Sequence, residues 1–168
     1  AEELKGEYDT GNLMPGQLQH AVSTDIFMAF GMQRWAEYHT RAGQSTYLYF
    51  MDHVPPAFHL YMPEQSYLAL DGGSRSGGAY HSGDLALVFG SLDKVGYDWT
   101  DEDKFVSEQM VTYWTNFAKT GNPNPSGEDA WTPFDRERLS TRVINAEPAT
   151  VAGVRKRILE ILASRQPL

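Results

Sequence analysis

The sequence predicts an α/β layer protein. Three neighbouring features carry that expectation: a helix with apolar periodicity, a glycine that ends it, and a short aromatic strand directly after. Ile26, Phe27, Phe30, Met32, Trp35 and Tyr38 recur mostly three or four positions apart, which predicts a helix from the Thr24-Asp25 cap to about Arg41. Gly43 closes it. Thr46-Tyr47-Leu48-Tyr49-Phe50-Met51 is short and rich in β-branched and aromatic residues, the composition of a buried strand.

The other elements follow from the same signals. Residues 1–23 are broken by Gly6, Gly11, Pro15 and Gly16 and form an irregular or partly helical lead-in. His53 to Gly78 is a long connection carrying Pro55-Pro56, Pro63 and Gly72-Gly73; connections of that length inside a domain are usually functional loops or insertions. Thr100-Asp101-Glu102-Asp103 opens a strong helix, with Thr100 as cap and Asp103 in the reciprocal capping-box position. Val106, Met110, Tyr113, Trp114 and Phe117 form its core stripe, and Lys119-Thr120-Gly121 with Pro123 ends it. Trp131-Pro133-Phe134 packs a turn, Thr141 to Asn145 reads as a last short strand, and Val151 to Ala163 as a last amphipathic helix. No repeat or composition shift divides the chain, so residues 1–168 are expected to belong to one domain.

Composition excludes several classes of function. Of 168 residues 41% are hydrophobic and 12% aromatic, too many for a disordered chain. A net charge of −8 disfavours nucleic acid, whose phosphates require clustered Lys and Arg. No apolar run approaches the roughly 18 residues of a membrane span, and the polar start is unlike a signal peptide. The absence of cysteine removes disulfides, thiolate catalysis and Cys-based zinc sites together, and leaves the compartment open.

Gly77-Gly78-Ala79-Tyr80-His81-Ser82-Gly83-Asp84 is the most informative stretch. Small residues leave the imidazole of His81 reachable, and the apolar Leu85-Ala86-Leu87-Val88-Phe89 reads as a short helix that anchors the loop. That setting suits a general base meeting a group supplied from elsewhere. The other histidines have simpler readings. His39 lies late in a helix, where a cationic side chain suits the dipole. His53 and His59 read as solvated loop positions, and His20 has no distinguishing setting. His81 with Asp84 lacks the third ligand of a metal site. Gly73-Ser74-Arg75-Ser76-Gly77-Gly78 is no nucleophile elbow, because neither serine has glycine on both sides at the required spacing; it reads as a flexible loop. Asp25 reads as a helix start, and Asp52 ends a strand, a position open to an acidic catalytic partner.

Residues 78–90 resemble the catalytic-histidine segment of type B carboxylesterases, the cholinesterase-like branch of the α/β-hydrolase family. Three further stretches resemble that family in the same order: Thr46 to Phe50 its late core strand, Tyr113-Trp114-Thr115-Asn116-Phe117-Ala118-Lys119-Thr120-Gly121-Asn122-Pro123-Asn124 its helix end, and Trp131-Thr132-Pro133-Phe134 the turn that follows. The resemblance runs from about Asp25 to the C-terminus. It implies a C-terminal part of an α/β-hydrolase fold, a mostly parallel sheet flanked by helices and incomplete on its own, that acts on carboxylic esters through an acyl-serine intermediate. His81 would be the triad base, and Asp84, where the family usually has glutamate, a supporting carboxylate. No cofactor is implied. Because the histidine comes last in the triad order of this fold, the serine, the acid and the oxyanion hole are expected on an N-terminal segment of the same enzyme. A small-molecule ester is the expected substrate, with Phe58-His59-Leu60-Tyr61-Met62 either an apolar lining for it or a surface loop tacked down by its two aromatics. The alternative is a cholinesterase-like interaction domain whose triad has decayed.

A strand that belongs between absent neighbours cannot satisfy its backbone alone. The chain expressed by itself is therefore expected to be insoluble or partly folded. Size-exclusion chromatography with denaturant melts checks this; a monomeric product that unfolds cooperatively would overturn the fragment expectation.

Overall fold

A computed structural model describes residues 6–8, 15–57, 73–95, 97–128 and 130–165. The expected acyl-lining stretch Phe58–Met62, including His59, lies outside the described residues. Two compact units are present: Ala1–Leu48, Pro133–Thr141 and Val151–Leu168 form one, and Tyr49–Thr132 with Arg142–Thr150 the other.

In the first unit a helix runs without a break from Pro15 to Arg41: α1 (Pro15–Ser23), a π-helical stretch (Thr24–Ala29) and α2 (Phe30–Arg41). Pro15 suits a first helical position because it has no N–H to leave unpaired. Asp25 is therefore no helix start, contrary to the sequence expectation. Its side chain is fully buried, and it accepts from Tyr8 Oη at 2.5 Å and from Arg155 in a two-pronged ion pair, with Nε at 3.0 Å from Oδ1. The helix widens at this residue: the Phe30 amide reaches back five positions to the Asp25 carbonyl. Sequence periodicity located the helix but not its polar anchor. The apolar stripe it revealed is largely exposed, with Phe27 at 77% and Trp35 at 58%.

Arg155 precedes α5 (Lys156–Arg165), whose Ile158, Leu159 and Ile161 are buried. The sequence expectation placed the start of this helix at Val151. Val151 and Ala152 instead end a strand, and Gly153, at φ +68°, turns the chain into the helix.

In the second unit, β1 (Tyr49–Met51) pairs in parallel with Arg142–Ile144 of β2 (Ser140–Ile144), Phe50 opposite Val143. With β3 (Ala149–Ala152) they form a sheet in the order β1-β2-β3. The expected strand at Thr46–Met51 is thus shorter, and half-buried rather than buried. Among the described residues β1 has one strand neighbour, so its backbone groups on the other edge lack a ladder partner.

The core of this unit is Leu87, Val106, Met110 and Ile144, with Tyr49, Met51, Val88 and Trp114 packed against it. Val106 and Met110 come from α4 (Asp101–Thr120), which begins with the expected capping box at Thr100 and Asp103 and ends at Gly121, φ +75°. Tyr113 is buried as the stripe predicts, whereas Phe117 is 48% exposed. Beyond the helix, Asn124 is buried and exchanges hydrogen bonds with the backbone of Trp131 at 2.8 and 2.9 Å, and Asn116 donates to the Pro123 carbonyl at 3.2 Å. The asparagines of this motif knit a helix end to a tryptophan turn, which is structural work.

Asp25→Ala would leave the Arg155 guanidinium half-buried without its anion, and is expected to lower stability by about 3 kcal/mol. Denaturant melts of the folded protein check this; a loss below about 0.5 kcal/mol would contradict the assigned role.

Candidate active site

His81 opens a tight turn (81–84) that leads directly into α3 (Leu85–Val88). Its imidazole is exposed, and among the described residues no side chain hydrogen-bonds to it. The turn itself is held firmly. Leu87 is completely buried, and its carbonyl accepts from Ser107 Oγ of α4 at 2.8 Å. Tyr80 Oη donates to the Pro56 carbonyl at 3.1 Å. Gly83 is buried so closely that an added Cβ would stand 2.9 Å from Pro55 Cγ and 3.0 Å from the Tyr80 carbonyl, so only glycine fits. Asp84 accepts from Tyr49 Oη at 3.1 Å. The small residues flanking His81, which read as a means of access, thus also permit close packing.

Pro55, Pro56 and Ala57, the floor of this turn, are buried and fixed in their turn. Ala57 donates its amide to the Ser74 carbonyl at 2.7 Å, and Tyr97 Oη donates to the Ala57 carbonyl. Just before them His53 is buried, its Nε2 at 2.6 Å from Asp103 Oδ1 and its Nδ1 at 3.2 Å from Glu102 Oε1. The expectation that His53 is solvated is overturned, because two carboxylates at the α4 N-terminus take up the ring. Arg75 Nη2 and Nη1 reach Asp103 at 2.5 and 3.0 Å, and Nη1 also donates to the Val54 carbonyl at 2.5 Å. The 73–78 stretch, expected to be a flexible loop, is therefore pinned through Arg75.

Asp103 is the hub of this cluster. Burial alone pushes its carboxyl up, but hydrogen bonds from Arg75, His53 and Thr100 outweigh that and hold it well below its ordinary 3.8. Nothing in the sequence joined Arg75 and His53 to a helix cap far along the chain. The capping-box position gave only one of the roles of Asp103.

Asp52 is exposed at the end of β1. His39 lies in the last turn of α2 with its ring edge-on to Trp35, as the helix-dipole reading expects. The side chain of His20 lies outside the described residues. Among the described residues no cluster of three or more His, Asp or Glu is arranged to hold a metal ion, and no helix is long and apolar enough to cross a membrane.

The carboxylesterase family model matches residues 9–160. The chain belongs to the carboxylesterase family. Carboxylesterase 4A of Bos taurus is 30% identical over 73% of the chain, and the pyrethroid hydrolase Ces2a of Mus musculus is 25% identical over 99%. The carboxylesterase EST55 of Geobacillus stearothermophilus superposes over 95% of the chain with a TM-score of 0.69 at 23% identity, which establishes part of an α/β-hydrolase fold. The chain spans 21% and 27% of the two relatives' lengths and 31% of the solved structure.

Because the Asp103 pKa is depressed in the folded carboxylesterase segment, its stabilisation is fully present above pH 3.8 and is lost as pH falls towards the native value. Asp103→Asn is expected to cost about 3 kcal/mol at pH 7 and to flatten the acid limb of stability. Glu102→Gln, at a side chain 56% exposed, is expected to cost less than about 1 kcal/mol. Denaturant melts of the full-length protein from pH 2 to 7 compare the two; equal losses would contradict the hub assignment.

Proposed function

We propose that this chain is part of a carboxylic ester hydrolase and supplies its general base, His81. The observation that carries the reading is an exposed imidazole, without a hydrogen-bond partner among the described residues, on a turn anchored at Tyr80, Gly83 and Asp84. A base that must exchange protons with an incoming group needs an open ring on a fixed backbone. Membership of the carboxylesterase family supports the chemistry.

In this reading His81 removes the proton of a serine hydroxyl as its oxygen attacks the ester carbonyl carbon. The resulting imidazolium then protonates the departing alkoxide and leaves an acyl-serine. Water, deprotonated by the same imidazole, attacks the acyl carbon and frees the acid and the serine. The serine, the triad acid and the oxyanion hole belong to an N-terminal segment of the same enzyme. Two features support that partner: the edge of β1 that has no strand neighbour among the described residues and the exposed apolar stripe along α2, both surfaces that a larger domain would cover. Relatives named for carboxylester and pyrethroid hydrolysis support a small-molecule ester as substrate.

A fluorophosphonate probe tests the reading on the full-length protein. Labelling of a serine outside this chain is expected, with loss of at least about a thousandfold in labelling rate and ester turnover in His81→Ala. Absence of labelling in the wild type would favour the decayed interaction domain, and unchanged labelling in His81→Ala would remove His81 from the mechanism.

A further inference from the structure

We propose that Tyr49 is a positioning residue for the His81 turn, acting through Asp84; the inference rests on the proposed role of His81. Ser82, next to the imidazole, has φ +70°, the left-handed region that a residue with a side chain adopts only at an energetic cost. Such a conformation persists where the surroundings over-determine it. Tyr80 and Gly83 hold the turn through its entry and its middle. Its last residue, Asp84, is held by the side chain of Tyr49.

Asp84 occupies the N-cap position of α3, where an aspartate ordinarily turns back to accept from its own helix. It makes no such bond. Its carboxylate points instead to Tyr49, its only hydrogen-bonded side-chain partner among the described residues. Tyr49 is well suited to hold it. It sits in β1, paired with β2, and its ring is wedged edge-on against Trp114 at 4.9 Å and Trp131 at 6.3 Å, so the hydroxyl has little freedom. Burial first, and the Asp84 charge second, push the phenol above its ordinary value, which keeps it a neutral donor at any working pH. The Asp84 carboxylate is thus met by a donor from this chain's own strand.

The test uses the full-length protein with a p-nitrophenyl ester. Tyr49→Phe is expected to lower kcat about tenfold with KM within twofold, because a misplaced base slows proton transfer without weakening ester binding. Asp84→Ala is expected to lower it comparably, and the double variant to fall no further than Asp84→Ala alone. A kcat within twofold of wild type for Tyr49→Phe, a change confined to KM, or losses that multiply in the double variant would each overturn the inference. If Tyr49→Phe yields no folded protein, Asp84→Ala severs the same bond from the other side, and a kcat within twofold of wild type then overturns it. His81→Ala, run in parallel, separates the two levels. Full turnover there removes the underlying reading, whereas loss there with a normal Tyr49→Phe removes only the role of Tyr49.

Discussion

One buried carboxylate organises the surroundings of the candidate site. Asp103 gathers the hydroxyl and amide of Thr100, both terminal guanidinium nitrogens of Arg75 and one ring nitrogen of His53. An ionised group removed from water is tolerable only when its lone pairs are filled in this way. Three stretches distant in sequence converge on it: the end of β1, the loop at Arg75 and the start of α4. The Val54–Ala57 segment inherits its position from this junction, and the His81 turn rests on that segment through Pro55 and Pro56. Access to the imidazole therefore comes from small residues, while its placement comes from charge buried some way behind it.

Much of the frame was legible in the sequence, because local chemistry wrote it. The α4 helix carries its own start at Thr100 and its own stop at Gly121, and both act as their residue types require. The short helix after His81 and the strand near Thr141 were visible as apolar runs bounded by turn residues. The His81 stretch stood out for the same reason, small residues meeting an anchoring run. Only the resemblance to carboxylesterases turned that setting into chemistry.

What stayed hidden was non-local. Asp25 looked like a cap because a Thr-Asp pair preceding an apolar stripe usually is one; its partner Arg155 lies at the other end of the chain. His53 looked solvated because proline-rich connections usually are, and its carboxylates belong to a helix beyond the His81 turn. Val151 and Ala152 fitted helical spacing as well as they fit a strand, and only pairing decides between the two. The apolar residues of α2 share a helical face, yet periodicity cannot say what covers a face, and here much of it meets solvent.

The parallel pairing of β1 with β2 also has a consequence for assembly. These strands flank the whole stretch that contains Arg75, His81 and Asp103. A ribosome releases Tyr49 long before Arg142, so β1 must wait, with the imidazole already synthesised, until the closing strand emerges. Contacts of such separation form late and slowly, after the entropy of a long loop has been surrendered. During that interval α4 and its cap can form from local sequence alone, offering the nascent turn a rigid surface before the sheet exists to lock it.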